Sequence, residues 1–209
     1  EPIAVREMPA QLAAIAKRKN VHLVAGMAER SGSKIFNSAI LVSPGGFVAS
    51  YRKVHLFFEE KLWFEPGDGE FPVYDIGPCK VGLMVCFDWF FPESMRALAL
   101  KGAQIVCHPA NLVLPYCQTA MVTRCLENRV FAVTCNRTGT ELRGGKSLHY
   151  TGKSQITDTA GNILSRAGED EECVGVFEVD PSKALDKQLN AHNNLFGDRR
   201  PSFYKDICC

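Results

Sequence analysis

The middle of this chain alternates strand-like and helix-like stretches, and that alternation restricts the fold more than any other feature. The apolar run Lys80-Val81-Gly82-Leu83-Met84-Val85-Cys86 reads as a buried strand, as do runs at 103–108 and 130–135, with helical stretches at about 93–101 and 116–128 between them. Such alternation predicts a layered α/β domain, in which helices cover a sheet. Upstream, residues 8–19 have the spacing of an amphipathic helix, with Leu12, Ile15 and Ala16 inward. Val21–Gly26 reads as a short strand. Asn37–Val42 reads as another, joined through the turn Ser43-Pro44-Gly45-Gly46 to a strand over Phe47–Lys53 in a β-hairpin. Residues 54–72 read as loop, rich in aromatics and acids, and strand-like runs recur at 153–157 and 174–179. No repeat, linker or low-complexity segment divides the chain, so a single domain over 1–209 is expected.

Composition excludes several classes of function. The net charge is +1, from 24 basic and 23 acidic residues, with no basic stripe for nucleic acid and no cationic tail for a membrane surface. No apolar stretch approaches the length of a bilayer span, and Glu1-Pro2-Ile3 does not open a signal peptide. The nine cysteines are odd in number; Cys107 and Cys135 fall in strand-like runs and Cys125 in a helical stretch. That distribution predicts reduced thiols in a cytoplasm rather than a disulfide framework, with most of them behaving as small buried hydrophobes. Cys208 and Cys209 end the chain and are expected to be exposed. Without a Cys-x-x-Cys pair no zinc site is expected, and no cofactor is implied.

Cys86 differs from the other eight. It lies at the exit of a buried strand, just before Phe87-Asp88-Trp89-Phe90-Phe91-Pro92-Glu93 and a helix. A turn there exposes a nucleophile, and the following backbone N–H groups can receive an oxyanion. A thiol that attacks a carbonyl or nitrile carbon also needs a base, donors for the developing charge and a pocket that excludes bulk water. Lys53, in Tyr51-Arg52-Lys53-Val54-His55-Leu56, is the candidate donor, though a lysine taken alone is more often a solvated surface group. Glu60, in Phe57-Phe58-Glu59-Glu60-Lys61-Leu62-Trp63-Phe64, can hold a cation or move a proton, against the plainer reading of a loop carboxylate.

Together these segments resemble the nitrilase superfamily of carbon–nitrogen hydrolases. Its lysine motif is similar to Tyr51–Leu56, its second-glutamate loop to Glu60 through Phe64-Glu65-Pro66-Gly67-Asp68, and its nucleophile motif to Gly82–Asp88 followed by Phe91-Pro92-Glu93 and Arg96. Gly102-Ala103, His108-Pro109-Ala110-Asn111, Arg199-Arg200-Pro201 and Tyr204 extend the similarity over nearly the whole chain. The resemblance implies a four-layer α-β-β-α sandwich, assembled into homodimers or higher oligomers through the segment Phe87–Leu100 after the nucleophile. It also implies Cys86 as nucleophile, Lys53 and the Phe87 N–H as oxyanion donors, and Glu60 as the glutamate that positions the lysine or the substrate. The implied substrate is a small amide or nitrile, split through a thioester. Cys86-Phe87-Asp88 is more similar to the amidase and carbamoyl-hydrolase branches than to the Cys-Trp-Glu of many nitrile-cleaving members.

One departure stands out. The family's general-base glutamate lies upstream of the lysine, and nothing here matches its motif: Glu1 and Glu7 precede the first visible strand, and Glu29 resembles a later strand end. The expectation is a chain that lacks its N-terminal strand and base, and that is inactive by itself. Glu93 is expected to pair with Arg96 or to support the start of its helix. His55, His108 and His149 invite a Cys–His reading, but structural or pocket-wall roles are expected. Met27, Met84 and Met95 read as core filler. Asn111, Leu112 and Tyr116 follow a strand end, where Asn111 and Tyr116 are candidate substrate contacts. Gly144-Gly145 reads as a loop turn and not as a phosphate cradle. A non-catalytic binding or oligomerising domain of the same fold is the alternative in a different class, supported by the missing glutamate and opposed by Lys53 and Cys86.

Overall fold

A computed structural model describes residues 3–4 and 8–208. Strand β1 (Ile3–Ala4) pairs in parallel with β2 (Leu23–Ser31), after the intervening helix α1 (Met8–Lys19). Strands β3 (Lys34–Ser43) and β4 (Gly46–Arg52) complete a four-stranded sheet of order β1-β2-β3-β4. Helix α2 is one turn (Glu60–Trp63) inside the segment expected to be loop. Strands β5 (Val73–Asp75) and β6 (Lys80–Leu83), helix α3 (Pro92–Leu100), β7 (Ile105–Ala110), α4 (Cys117–Asn128) and β8 (Phe131–Asn136) follow. Next come the hairpin β9 (Thr138–Arg143) and β10 (Lys146–Thr151), then β11 (Gln155–Thr157) and β12 (Ile163–Arg166). The second sheet has the order β12-β11-β8-β7-β6-β5, with β6, β7 and β8 parallel to one another. The strand–helix alternation of the sequence is this parallel centre.

Strand β3 shows how the layers form. Its side chains alternate faces. Ala39 and Leu41 enter the main core with Val81, Leu83 and Val106 of the second sheet and Met95 and Leu98 of α3. Ile40 and Val42 enter a smaller core with Ala16 of α1 and Met27 of β2. Each buried side chain of this size contributes about 1.5–3 kcal/mol. The helix α3 starts on Pro92, whose missing N–H costs nothing in the first turn. It packs close to β6 because position 82 is glycine: a Cβ there would lie 3.0 Å from Leu98 and 3.1 Å from Ala103.

Four sequence expectations change. Ile15 is 38% exposed and not inward, because the α1 face that meets the sheet centres on Ala16 with Leu12 and Ala13. The run 174–179 forms no strand, and Val174 and Val176 are 92% and 87% exposed. Gly144-Gly145, with φ of 55° and 75°, is the tight turn of the β9–β10 hairpin, whose strands the sequence reading missed. Arg96 does not pair with Glu93: its Nη2 donates to the Glu127 carbonyl at 2.7 Å, while Glu93 sits in the first turn of α3. Met27, Met84 and Met95 are buried as expected. Cys79, Cys86, Cys107, Cys117, Cys125, Cys135 and Cys173 are free thiols, and the side chains of Cys208 and Cys209 lie outside the described residues. Among the described residues no helix is long and apolar enough to cross a membrane.

Candidate active site

The end of β4 delivers Lys53. Its backbone N–H donates to Asn37 C=O at 2.7 Å and its C=O accepts from Gly67 N–H at 2.8 Å. A Cβ on residue 67 would lie 2.1 Å from the Arg52 carbonyl oxygen, so glycine is what lets this loop press against the strand. The Lys53 side chain is wholly buried, with Nζ 2.5 Å from Glu60 Oε2. A buried ammonium without such a partner would be strongly destabilising. Glu60 opens α2; its Oε2 also accepts from Phe57 N–H at 2.7 Å, and its Oε1 from Asn37 Nδ2 at 2.9 Å. Fixed donors occupy both carboxylate oxygens, so Glu60 holds Lys53 in place.

Beyond β6 the chain turns sharply. Cys86 has φ of 45°, a left-handed conformation that costs a residue with a Cβ roughly 1–2 kcal/mol. Three neighbours hold it there. Asp88, fully buried, accepts at Oδ2 from Val85 N–H and from Tyr51 Oη, each at 2.8 Å. Its Oδ1 accepts from His55 N–H at 3.3 Å and meets His55 Nδ1 at 2.9 Å. Burial and then the Asp88 charge push the Tyr51 phenol far above its usual range, so the hydroxyl stays protonated and donates. His108, also buried, places Nε2 2.8 Å from the Cys86 carbonyl oxygen and Nδ1 3.1 Å from Thr134 Oγ1. Burial lowers its pKa to about 4, so the ring is neutral. A carbonyl only accepts, so Nε2 carries the proton and Nδ1 accepts from the Thr134 hydroxyl.

The thiol itself is buried, with Sγ 3.8 Å from the Asn111 carbonyl oxygen. Burial pushes its pKa up, Lys53 and the backbone groups of Asn111 and Phe87 oppose the rise, and Glu60 adds to it. The sulfur therefore rests as a thiol at neutral pH, and a base must take its proton before attack. It lines a small pocket with Asn111 and the rings of Phe57, Phe87 and Trp89, closed by the stretch 112–114. The Phe57 and Phe87 rings pack with centroids 5.0 Å apart.

The structure thus brings together Cys86, Lys53, Glu60 and the Phe87 N–H, with Asn111 on the pocket wall. Tyr116 stands apart: it precedes α4, is 60% exposed and does not line the pocket. His55 and His149 do not approach as bases, since His55 bonds to Asp88 and His149 is an exposed hairpin residue near Thr140. Glu29 is buried, but it accepts from Arg52 Nε at 2.9 Å, Arg52 Nη2 at 2.6 Å and Ser38 Oγ at 2.7 Å, and it is not among the groups whose charge acts on the thiol. Glu1 and Glu7 lie outside the described residues. Among the described residues no group of three or more His, Cys, Asp or Glu could hold a metal.

The sequence profile of the carbon-nitrogen hydrolase family matches residues 4–185. The chain belongs to that family. It is 50% identical over 190 residues to a protein named nitrilase from Pyrococcus abyssi, covering 91% of this chain and 71% of the relative. Among solved structures it resembles the carbon-nitrogen hydrolase from Helicobacter pylori G27, with a TM-score of 0.86 at 28% identity over 96% of this chain and 75% of that one. It also resembles the amidase from Nesterenkonia sp. AN1 in a form showing covalent addition of the acetamide moiety of fluoroacetamide at the active-site cysteine. That match has a TM-score of 0.77 at 29% identity, over 95% of this chain and 72% of the amidase. These relatives place the chain in the nitrilase superfamily without selecting its amidase branch.

For this carbon–nitrogen hydrolase, sequence reading missed the residues that hold the nucleophile turn. Asp88 stood only within a motif and Tyr51 only beside the lysine, whereas His108 was expected in a structural or pocket-wall role, and its bond to the Cys86 carbonyl is a structural one. A polar residue inside an otherwise apolar run is the available signal, since a buried polar group needs a partner, but the sequence does not say which.

Proposed function

We propose that the protein hydrolyses the carbon–nitrogen bond of a small non-peptide amide through a thioester on Cys86. A base takes the thiol proton and the sulfur attacks the carbonyl carbon. The oxyanion is received by Lys53 Nζ and the Phe87 N–H, the C–N bond breaks, and the nitrogen leaves as ammonia or an amine after gaining a proton. Water then cleaves the thioester, releasing the acid and restoring the thiol. The observation that carries this reading is a wholly buried ammonium, held by Glu60, whose charge acts on a thiol in a left-handed turn at a pocket.

The two core clusters on opposite faces of β3 support a four-layer α-β-β-α sandwich. Exposed Phe90 and Leu100, at either end of the segment around α3, support a homodimer through that face. The base is proposed to lie outside the described residues, because among those Glu60 is the carboxylate acting on Cys86 and its oxygens are occupied. Nitrile hydrolysis is the second reading, favoured by the 50% identity to a protein named nitrilase.

The test is ammonia release from a panel of amides, N-carbamoyl amines and nitriles, using the protein and its Cys86→Ala variant. The variant is expected to release none, and undiminished release would end the proposal.

A further inference from the structure

The wall around the thiol says more about the substrate than the family does. Apart from Cys86 and Asn111, the pocket is formed by the rings of Phe57, Phe87 and Trp89 and by Leu112, Val113 and Leu114. Among the described residues no Lys, Arg, His, Asp or Glu lines it. The ionic groups nearby are committed elsewhere. Lys53 is bound to Glu60, and Glu59, beside Glu60, is bound to Lys146 of the β9–β10 hairpin. Arg124 donates to the Trp89 carbonyl at 3.3 Å and to Glu127 at 3.1 Å. A carboxylate or ammonium on the acyl side of a substrate would therefore lose its water in this pocket without gaining a counter-charge from the described residues, and such desolvation is costly.

Resting on the thioester reading, we propose that the enzyme takes substrates whose acyl group is small and uncharged, aliphatic or aryl, and that the stretch Leu112–Leu114 sets this selectivity. The aromatic rings supply apolar contact and Asn111 the polar group of the wall. Each methylene that the pocket buries should raise kcat/KM about fourfold, until the pocket is filled. A terminal charge at the same chain length should lower it on the order of 100-fold.

The experiment compares pentanamide, 4-aminobutanamide and succinamate, with acetamide through butanamide as a length series and the matching nitriles in parallel. Ammonia release is read on the protein, and Cys86 labelling by fluoroacetamide is followed by intact mass. A preference of more than tenfold for the neutral compound, with rising kcat/KM along the series, supports the proposal. A preference below tenfold overturns it and leaves the thioester reading intact. If no compound is hydrolysed and fluoroacetamide does not label Cys86, the thioester reading fails and this inference fails with it.

Leu114→Asp and Val113→Asp, both at half-buried positions, address the assigned stretch, with thermal melting as the folding control. At least one is expected to shift the ratio of 4-aminobutanamide to pentanamide turnover tenfold or more toward the cation. An unchanged ratio in both folded variants removes 112–114 as the determinant.

Discussion

Replacing Asp88 by asparagine tests how the nucleophile turn is held. The carboxylate is buried and receives Tyr51 Oη–H and Val85 N–H at 2.8 Å each on Oδ2, with His55 Nδ1 at 2.9 Å and His55 N–H at 3.3 Å on Oδ1. Asparagine offers one oxygen and one NH2 in the same volume. If the NH2 replaces Oδ2, the Tyr51 hydroxyl can turn to accept, but the Val85 N–H loses its acceptor. If it replaces Oδ1, the His55 ring can accept through Nδ1, but the His55 N–H is left alone. In either orientation one backbone donor is orphaned and the charge assistance is lost. One such orphan costs about 1–3 kcal/mol. A loss of about 2 kcal/mol lowers Tm by about 4–8 °C in a chain of this size.

The assay is thermal melting together with the rate of Cys86 alkylation by fluoroacetamide. Tyr51→Phe removes one of the same hydrogen bonds, so the double variant should lose less than the sum of the singles, by about 1 kcal/mol. An Asp88→Asn protein that melts within about 1 °C of the parent and alkylates at the same rate would refute the idea that this carboxylate holds the turn.

Three further outcomes are expected. His108 has its pKa lowered from the ordinary 6.5 to about 4 by burial, so below pH 6.5 the unfolded state binds the extra proton first. Stability should fall by about 3 kcal/mol as pH drops from 6.5 to about 4. Urea melts across that range should show His108→Gln, which keeps a donor for the Cys86 carbonyl, losing much less. In Lys53→Met the cation that lowers the Cys86 pKa is gone. Alkylation at pH 8 should slow because less of the thiol is ionised, and an unchanged rate would detach Lys53 from the thiol. Gly67→Ala places a methyl 2.1 Å from the Arg52 carbonyl, beside Lys53. It should cost at least ~2 kcal/mol in a denaturant melt and reduce ammonia release; a parental melt would show that the loop yields freely.

Much of the framework was legible because it depends on local pattern. The runs at 80–86, 103–108 and 130–135 became β6, β7 and β8 because periodicity and chain direction are properties of the sequence itself. The run 174–179 shows where that logic ends. Its residues have the pattern of a strand and Gly175 lies against Ser165 of the edge strand β12, but no backbone ladder forms there, and pattern alone does not supply one. Around Gly144-Gly145 the turn was legible but the strands of the β9–β10 hairpin on either side were not, although two glycines with positive φ are what a tight hairpin needs.

The same division runs through the site. The sequence by itself determined that Cys86 lies at the exit of a buried strand and that Lys53 and Glu60 occupy neighbouring segments, because motif spacing is fixed along the chain. Only the tertiary structure decided that Lys53 is wholly buried on Glu60, and that His108 grips the Cys86 carbonyl. Likewise it joined Asp88 to Tyr51, 37 positions away, and left Tyr116 off the pocket wall. Those pairings arise from how two sheets stack, and burial then forces each polar group to find a partner that no local pattern encodes.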